Sequence, residues 1–471
     1  MKITKVFFFM NMLSGMSYSI FSPLFPSLAT KKGISETIIG LVISIFDLAN
    51  TIITAFAPLL FIKFTRIKLL FISTFFEATC TILYGLIGYF FNSFYSLIIF
   101  MIVLRIIHGV SNGIIATLLY SLTITLAKES EKKEALGSLE IGWCIGLALG
   151  PIVASIFYKI GGYILPFILL GSILYTSIYL TLNVAHKKTE SNNIVEGNLL
   201  FLKFLGHLEI LLILGSFFFG MISESFFYPS LTNHLENYFG LSLSVASLFF
   251  MILAISYIIT LLNINKATES LGLYGSSFIG LLICAFGVLL VYPYPPLPKS
   301  TISVIIGLAL IGGGSAPIFI PGLVNLSKNV KKIDPDIDEF SANDISSAIN
   351  NITIAIGDFS GPIIGGYLSS QFGFKNSCLI SSTLIFIYSI FYFIYFKKKI
   401  LPNKDKKLLI DNESKSEEKE LMNHPGFYKD NNLEKFEANF EGIIGKRKIS
   451  LSPVLNNNKE DEFQYLKLPE N

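Results

Sequence analysis

Charge is scarce in this chain: Asp, Glu, Lys and Arg make up 15% of its 471 residues, against 52% hydrophobic and 14% aromatic. So little charge cannot clothe a water-soluble protein of this length, and the long apolar runs place the chain in the membrane class. Cysteine is scarce too. Cys80, Cys144, Cys284 and Cys378 all lie in apolar segments, which argues against a disulfide framework. There is no GxSxG turn, no His/Cys cluster at metal-ligand spacing and no phosphate-binding loop. An enzyme is therefore not expected, nor is a cofactor or a bound metal. The apolar runs also lack the alternation of polar and apolar residues that a membrane barrel requires, which leaves helices to satisfy the backbone in lipid.

At roughly 20 apolar residues per crossing, twelve segments emerge: 4–28, 37–62, 69–92, 95–124, 138–158, 163–184, 208–232, 242–263, 272–292, 301–325, 343–369 and 376–396. The first begins like a secretion leader (MKITKVFFFM), but its apolar stretch continues to about residue 28, which makes it a retained span. Lys and Arg orient the bundle, because cytoplasmic loops retain them. With the N-terminus inside, 18 of those up to Lys399 fall on inner segments and five on outer loops. Both termini are expected to be cytoplasmic. The expected divisions are a six-helix half at 1–185, a central loop at 186–207, a second six-helix half at 208–396 and a polar, disordered tail at 397–471. In the tail, DKKLLI (405–410) and YLKL (465–468) fit endolysosomal sorting patterns, loose enough for chance to produce them.

An internal repeat relates the halves. GLALGPIVAS at 146–155 echoes GDFSGPIIGG at 357–366, 211 residues on, while FPSLAT from Phe25 echoes YPSLTN from Tyr228, 203 residues on. HGVSNG at 108–113 and IGGGSA at 311–316 share the shorter offset, and the acidic insert DPDIDEFS before span eleven accounts for the difference. Duplicated six-span halves around a midplane site are the architecture of secondary transporters.

RIIHGVSNG (105–113) resembles the span-four motif of the major facilitator superfamily, and the GxxxGP stretches resemble the motif of its antiporters. SLEIGWCIGLALGPIVASIFYKIGGYILPFILLGS and FPSLATKKGISETIIG resemble the vesicular amine and polyamine transporters of solute carrier family 18. The resemblance covers about residues 5–396. It implies an all-α, multi-pass membrane protein of twelve helices in two pseudo-symmetric six-helix halves, the major facilitator fold, working as a monomer. The loop FIKFTRIKLL lacks the Gly and Asp of the superfamily's gating motif. Met10 and Asn11 stand where the monoamine carriers have an aspartate, and Tyr228 where they have an acid, which favours the polyamine-like branch.

A charge at the centre of a spanning helix costs about 2.5 to 3.5 kcal/mol on insertion scales, so each one suggests an offsetting role. Asp47, Glu77, Glu224 and Asp358 lie within spans, opposed only by Arg105. Asp47 and Arg105 are at similar depth and are expected to pair; the alternative is that Asp47 satisfies Asn50 and Thr51. Glu224 is one turn before Tyr228 and shares its face of span seven, a cavity-lining span by the resemblance. Together with Asp358 these are candidate substrate and proton sites. Glu140 and Asn11 join them on the resemblance, as gate or coupling residues. His108 replaces the motif's usual glutamine, with a neutral hydrogen-bonded imidazole as the default and protonation as the alternative. Glu77 is expected to be structural or to snorkel. Gly146, Gly150 and Pro151 in span five, and Gly357, Gly361, Pro362 and Gly365 in span eleven, are expected to form close-packed, bendable pivots between the halves, or to serve packing alone.

More carboxylates than arginines suit a cationic substrate. The leading expectation is a proton-coupled antiporter of an organic cation, an amine or polyamine, in a vesicular, endolysosomal or plasma membrane, with protons and the lipid bilayer as its other partners and no nucleic acid. A pH-independent facilitator of a neutral solute, or a transporter-shaped receptor or scaffold signalling through its tail, are the alternatives.

Overall fold

A computed structural model describes residues 3–91, 93–126, 132–185, 199–292, 300–337 and 339–400. The described residues are helical, with no strand among them. In chain order the helices are α1 (Ile3–Ser19), α2 (Phe21–Lys31), α3 (Glu36–Lys63), α4 (Arg66–Phe90), α5 (Phe94–Leu126), α6 (Lys132–Gly161) and α7 (Ile164–Ala185). A short 3₁₀ segment, Leu199–Gly206, precedes α8 (Leu208–Ser225), α9 (Leu231–Phe239), α10 (Leu243–Leu261), α11 (Ile264–Val291), α12 (Thr301–Ile333) and α13 (Glu339–Ile400). Most of the expected central loop and the tail from residue 401, with its sorting patterns, lie outside the described residues. Lys397, Lys398 and Lys399 form the last turn of α13.

Nine helical stretches among the described residues are long and apolar enough to cross a membrane. The last covers two crossings, parted at Gly373, whose φ of 77° only glycine adopts freely. The shorter α7 and the α1–α2 pair supply the others of the twelve expected. Gly162, between α6 and α7, also has a positive φ, 67°, and lies 211 residues before Gly373, so the repeat extends to the backbone of its turns.

The first span of each half is broken, which hydropathy did not foresee. Proline explains both breaks, since it has no N–H for the carbonyl four residues earlier. Pro23 leaves the Ser19 carbonyl without that donor, and α1 ends at Ser19. Pro229 does the same to Ser225, where α8 ends, and the Ser225 carbonyl instead accepts a tightened bond from the Tyr228 N–H at 3.1 Å.

Each half has its own apolar core. One is built on Phe217, Phe226, Phe227, Leu281, Ile311 and Ile385; the other on Phe21, Phe25, Ile43, Tyr84, Leu104 and Phe167. Tyr228 packs against both. The halves join at the end of the bundle that carries α2 and α9. There Thr232 donates to the Pro23 carbonyl at 3.1 Å, Asn233 donates to Thr30 at 2.6 Å, and Lys31 lies 3.8 Å from Glu236. Thr37 donates to the Gly366 carbonyl at 3.4 Å. Burial among aromatic rings pushes His234, beside this seam, down to about 4. Further along α3, Ile52, Thr54, Ala55 and Phe56 are exposed.

Candidate functional site

Three of the four membrane-embedded acids converge. Asp47 on α3 is 8% exposed, while Glu224 on α8 and Asp358 on α13 are half-buried. Asp358 lies in the fields of both Asp47 and Glu224, and the Tyr228 hydroxyl lies in those of all three. Tyr18 on α1 reaches the Asp47 carboxylate within hydrogen-bonding range and lies in the field of Asp358 from the other half. Its ring packs 5.0 Å from Phe46 and 5.9 Å from Trp143. Ser315 of α12 lies beside Glu224, though its hydroxyl donates to the Ile311 carbonyl at 2.9 Å. The result is a cluster of acids where the halves meet, one carboxylate from the first and two from the second, with aromatic rings around them.

Arg105 does not neutralise this cluster by direct contact. Its guanidinium lies 4.5 Å from the centres of both the Phe21 and Phe46 rings. It donates to the Ile43 carbonyl at 2.7 Å and the Val42 carbonyl at 3.3 Å, and Nη1 has no hydrogen-bond partner. It therefore forms no ion pair with Asp47, and the expected contact is corrected. Depth along two helices puts residues on one level, but their rotation decides whether they meet. Neither does Asp47 merely serve its neighbours: Thr51 bonds the Asp47 backbone carbonyl at 2.6 Å, and Asn50 donates to Asn112 at 2.9 Å. A double-mutant cycle of Asp47→Asn and Arg105→Ala, read by thermal unfolding, should give a coupling below about 1 kcal/mol. Arg105→Lys should fail to restore what Arg105→Ala loses, because an ammonium cannot stack between two rings as a flat guanidinium does.

Other expected site residues are spread more widely. Asn11 is buried and donates to the Leu139 carbonyl at 2.8 Å, tying α1 to α6. Glu140 is exposed and accepts from Tyr120 at 2.5 Å, with Tyr257 of the other half in its field. His108 and Glu77, 0% and 1% exposed, lie together inside the first half. Glu77 is thus fully enclosed by polar partners, and the option of snorkelling is corrected.

The glycine strips pack helices within each half. A Cβ on Gly146 would collide with the Met12 carbonyl of α1, and one on Gly150 with Ser19. In the second half Gly357 faces Met221, Gly361 faces Ser225 and Gly365 faces the Phe226 carbonyl. The expectation that these strips lie between the halves is corrected. The halves meet instead on Pro362 itself and on neighbouring residues: Gly40 sits against the Pro362 carbonyl, as expected of that one position, and Gly366 against that of Glu36. Pro151 and Pro362 both lie inside continuous helices, α6 and α13.

Tyr18, Trp143, Tyr257 and Ser315 were not singled out in the sequence. Tyr18 follows Asn11 by two helical turns, a spacing that puts both on the face toward α6. Ser315 stands 203 residues after Asn112, at the repeat-related place.

The family model described as Major Facilitator Superfamily matches residues 7–334. The chain is 28% identical over 379 residues to the MFS-type transporter SLC18B1 of Rattus norvegicus, covering 79% of this chain and 81% of that one. Among solved structures, the nucleoside transporter NupG superposes with a TM-score of 0.69 at 13% identity, covering 84% of this chain and all of its own. A bacterial homolog of the human lysosomal transporter Spinster, inward-facing and unoccupied, gives 0.68 at 13% identity, covering 83% and 95%.

Proposed function

Because the chain belongs to the major facilitator superfamily, we propose that it is a secondary active transporter exchanging protons for an organic cation, an amine or polyamine, by alternating access. The observation that carries this reading is the meeting of Asp47, Glu224 and Asp358 in one cluster whose nearest cation, Arg105, acts on Asp47 through its field but is held between two phenyl rings without an ion pair. Ionised oxygens in a low-dielectric site attract a cation strongly. A carboxylate that carries a proton cannot at the same time hold an ammonium. Loss of the proton to one side therefore precedes capture of the cation, and the two ions cross in opposite directions. Carboxylates contributed by both halves suit a substrate with more than one ammonium, and the rings of Tyr18 and Tyr228 suit its methylene and cationic surfaces.

The excess of Lys and Arg on alternate loops supports cytoplasmic termini. On that orientation the α2–α9 seam faces the exterior or a vesicle lumen, and the arrangement is inward-facing. Gly146, Gly150, Pro151, Gly357, Gly361, Pro362 and Gly365 then keep each half rigid while it rocks. A vesicular or endolysosomal membrane fits the sequence resemblance to vesicular amine and polyamine transporters, with the plasma membrane as the other location; a monomer with halves at 1–185 and 208–396 suffices for the mechanism.

Purified protein in proteoliposomes should accumulate a labelled amine or polyamine when an outward proton gradient is imposed, and stop when the gradient is collapsed. Uptake indifferent to pH would instead indicate a facilitator. No uptake of any amine would overturn the reading.

A further inference from the structure

His108 and Glu77 take no part in that cluster of acids, yet they are a titratable pair sealed inside the first half. Glu77 Oε1 lies 3.6 Å from His108 Nε2. The repeat does not require either residue: 203 positions on, the second half has Gly280 and Ile311 in the corresponding places. Packing of the fold is satisfied there without charge.

The hydrogen bonds around the pair settle where its protons are. Thr81 donates its hydroxyl hydrogen to the Glu77 backbone carbonyl at 2.8 Å. In the 2.7 Å contact between Ser17 and Thr81, Ser17 must therefore be the donor. That uses the only hydrogen Ser17 has, so its 3.1 Å contact with His108 Nε2 requires Nε2–H to donate. On the other side of the ring, Nδ1 lies 3.0 Å from the Tyr84 hydroxyl, which also has the Leu104 carbonyl at 3.4 Å. With a neutral ring, Tyr84 donates to Nδ1. With a protonated ring, Nδ1–H donates to Tyr84 and the Tyr84 hydrogen turns to Leu104. Rotation of one hydroxyl serves both states, and neither leaves a buried donor unmatched.

A countercharge is also in place. Glu77 Oε1 accepts from Ser14 at 2.5 Å and from Asn112 at 3.3 Å, which are donors suited to a carboxylate. The polar contacts continue toward the edge of α3: Asn112 accepts from Asn50, and Asn50 accepts from Thr54, which is exposed. The charged and titratable groups facing the pair are Arg105 on α5, Cys80 and Tyr84 on α4, and Tyr163 behind Tyr84 at the start of α7. From α1 come Ser14 and Ser17, and from α3 the Phe46 ring, 4.8 Å from the imidazole.

We infer that His108 and Glu77 form a proton-binding site within the first half, separate from the clustered carboxylates, which takes up one proton as an imidazolium paired with a carboxylate. This goes beyond the proposed exchange reaction and does not depend on the identity of the substrate.

The test uses the full chain in lipid nanodiscs, labelled with ¹⁵N-histidine, with His186, His207, His234 and His424 replaced by Gln so that His108 is the only histidine. At pH 8 the ring should be neutral with its hydrogen on Nε2. Between pH 8 and 5 both nitrogens should become protonated, reversibly. Glu77→Gln should lower the protonation constant about tenfold, the effect of losing one opposite charge at this range. An Nδ1–H tautomer at pH 8 would overturn the hydrogen-bond assignment without recourse to any change at the site. A ring that stays neutral down to pH 5, or a titration that Glu77→Gln leaves unmoved, would overturn the proton site. Transport failing while His108 titrates as expected would count against the exchange reaction alone.

Discussion

Glu224→Gln and Asp358→Asn should each reduce gradient-driven uptake by about thirtyfold or more, equivalent to about 2 kcal/mol, the range for removing one member of a desolvated charge pair. Both changes keep the shape of the side chain and remove only the charge. They should not weaken folding, because a neutral amide is less costly to bury in the bilayer core than a carboxylate. Unchanged melting temperature with lost uptake is thus the expected pair of results. What uptake remains should respond less to pH, since fewer groups are left to exchange a proton for the substrate. Glu140→Gln, at an exposed position bonded to Tyr120, should have a smaller effect. If both cluster variants accumulate substrate as well as the parent, the carboxylates are not where the cation binds.

A second large effect is expected at Gly40. A Cβ there would overlap the Pro362 carbonyl across the seam, where backbone cannot yield as a flexible side chain could. Overpacking of this kind costs about 1 to 3 kcal/mol. Because the strain exists only while the halves are together at this end, Gly40→Ala should shift the population toward states open there, by roughly five- to 150-fold. Asn233→Cys on a cysteine-free background would report the shift, because that position is 5% exposed while the seam is closed. Its reaction with a membrane-impermeant maleimide should accelerate in Gly40→Ala, as position 233 parts from Thr30. Gly365→Ala offers the contrast: its clash with the Phe226 carbonyl lies within one half. It should lower the melting temperature while leaving that labelling rate unchanged. Equal labelling in the parent and in Gly40→Ala would show that the Gly40 contact does not govern closure.

Residue-level comparison shows what a linear reading can reach. The twelve crossings were legible because roughly 20 apolar residues in a row have few alternatives in a bilayer. Glu224, Tyr228 and Asp358 were legible because a charge at mid-depth is rare, and because one helical turn fixes which side chains share a face. Arg105 shows the limit. Its depth matched that of Asp47, but the Phe21 and Phe46 rings that hold it come from two other helices, and nothing local announces them. Glu77 was underestimated for the same reason, since its partners Ser14, His108 and Asn112 are brought from α1 and α5 by tertiary packing. The breaks at Ser19 and Ser225 could have been anticipated from Pro23 and Pro229, had the donor missing from each proline been counted against hydropathy.

The two lines along which the halves touch are unlike. Along α3 and α13, main chain rests on main chain at Gly40 with Pro362 and at Gly366 with Glu36. Along α6 and α10 that closeness is not available, because Gly142, Gly146 and Gly150 of α6 are turned toward α1. Backbone resting on backbone has no slack, so the α3–α13 line should part in one step when the halves rock, while side-chain contacts along α6 and α10 can loosen by degrees.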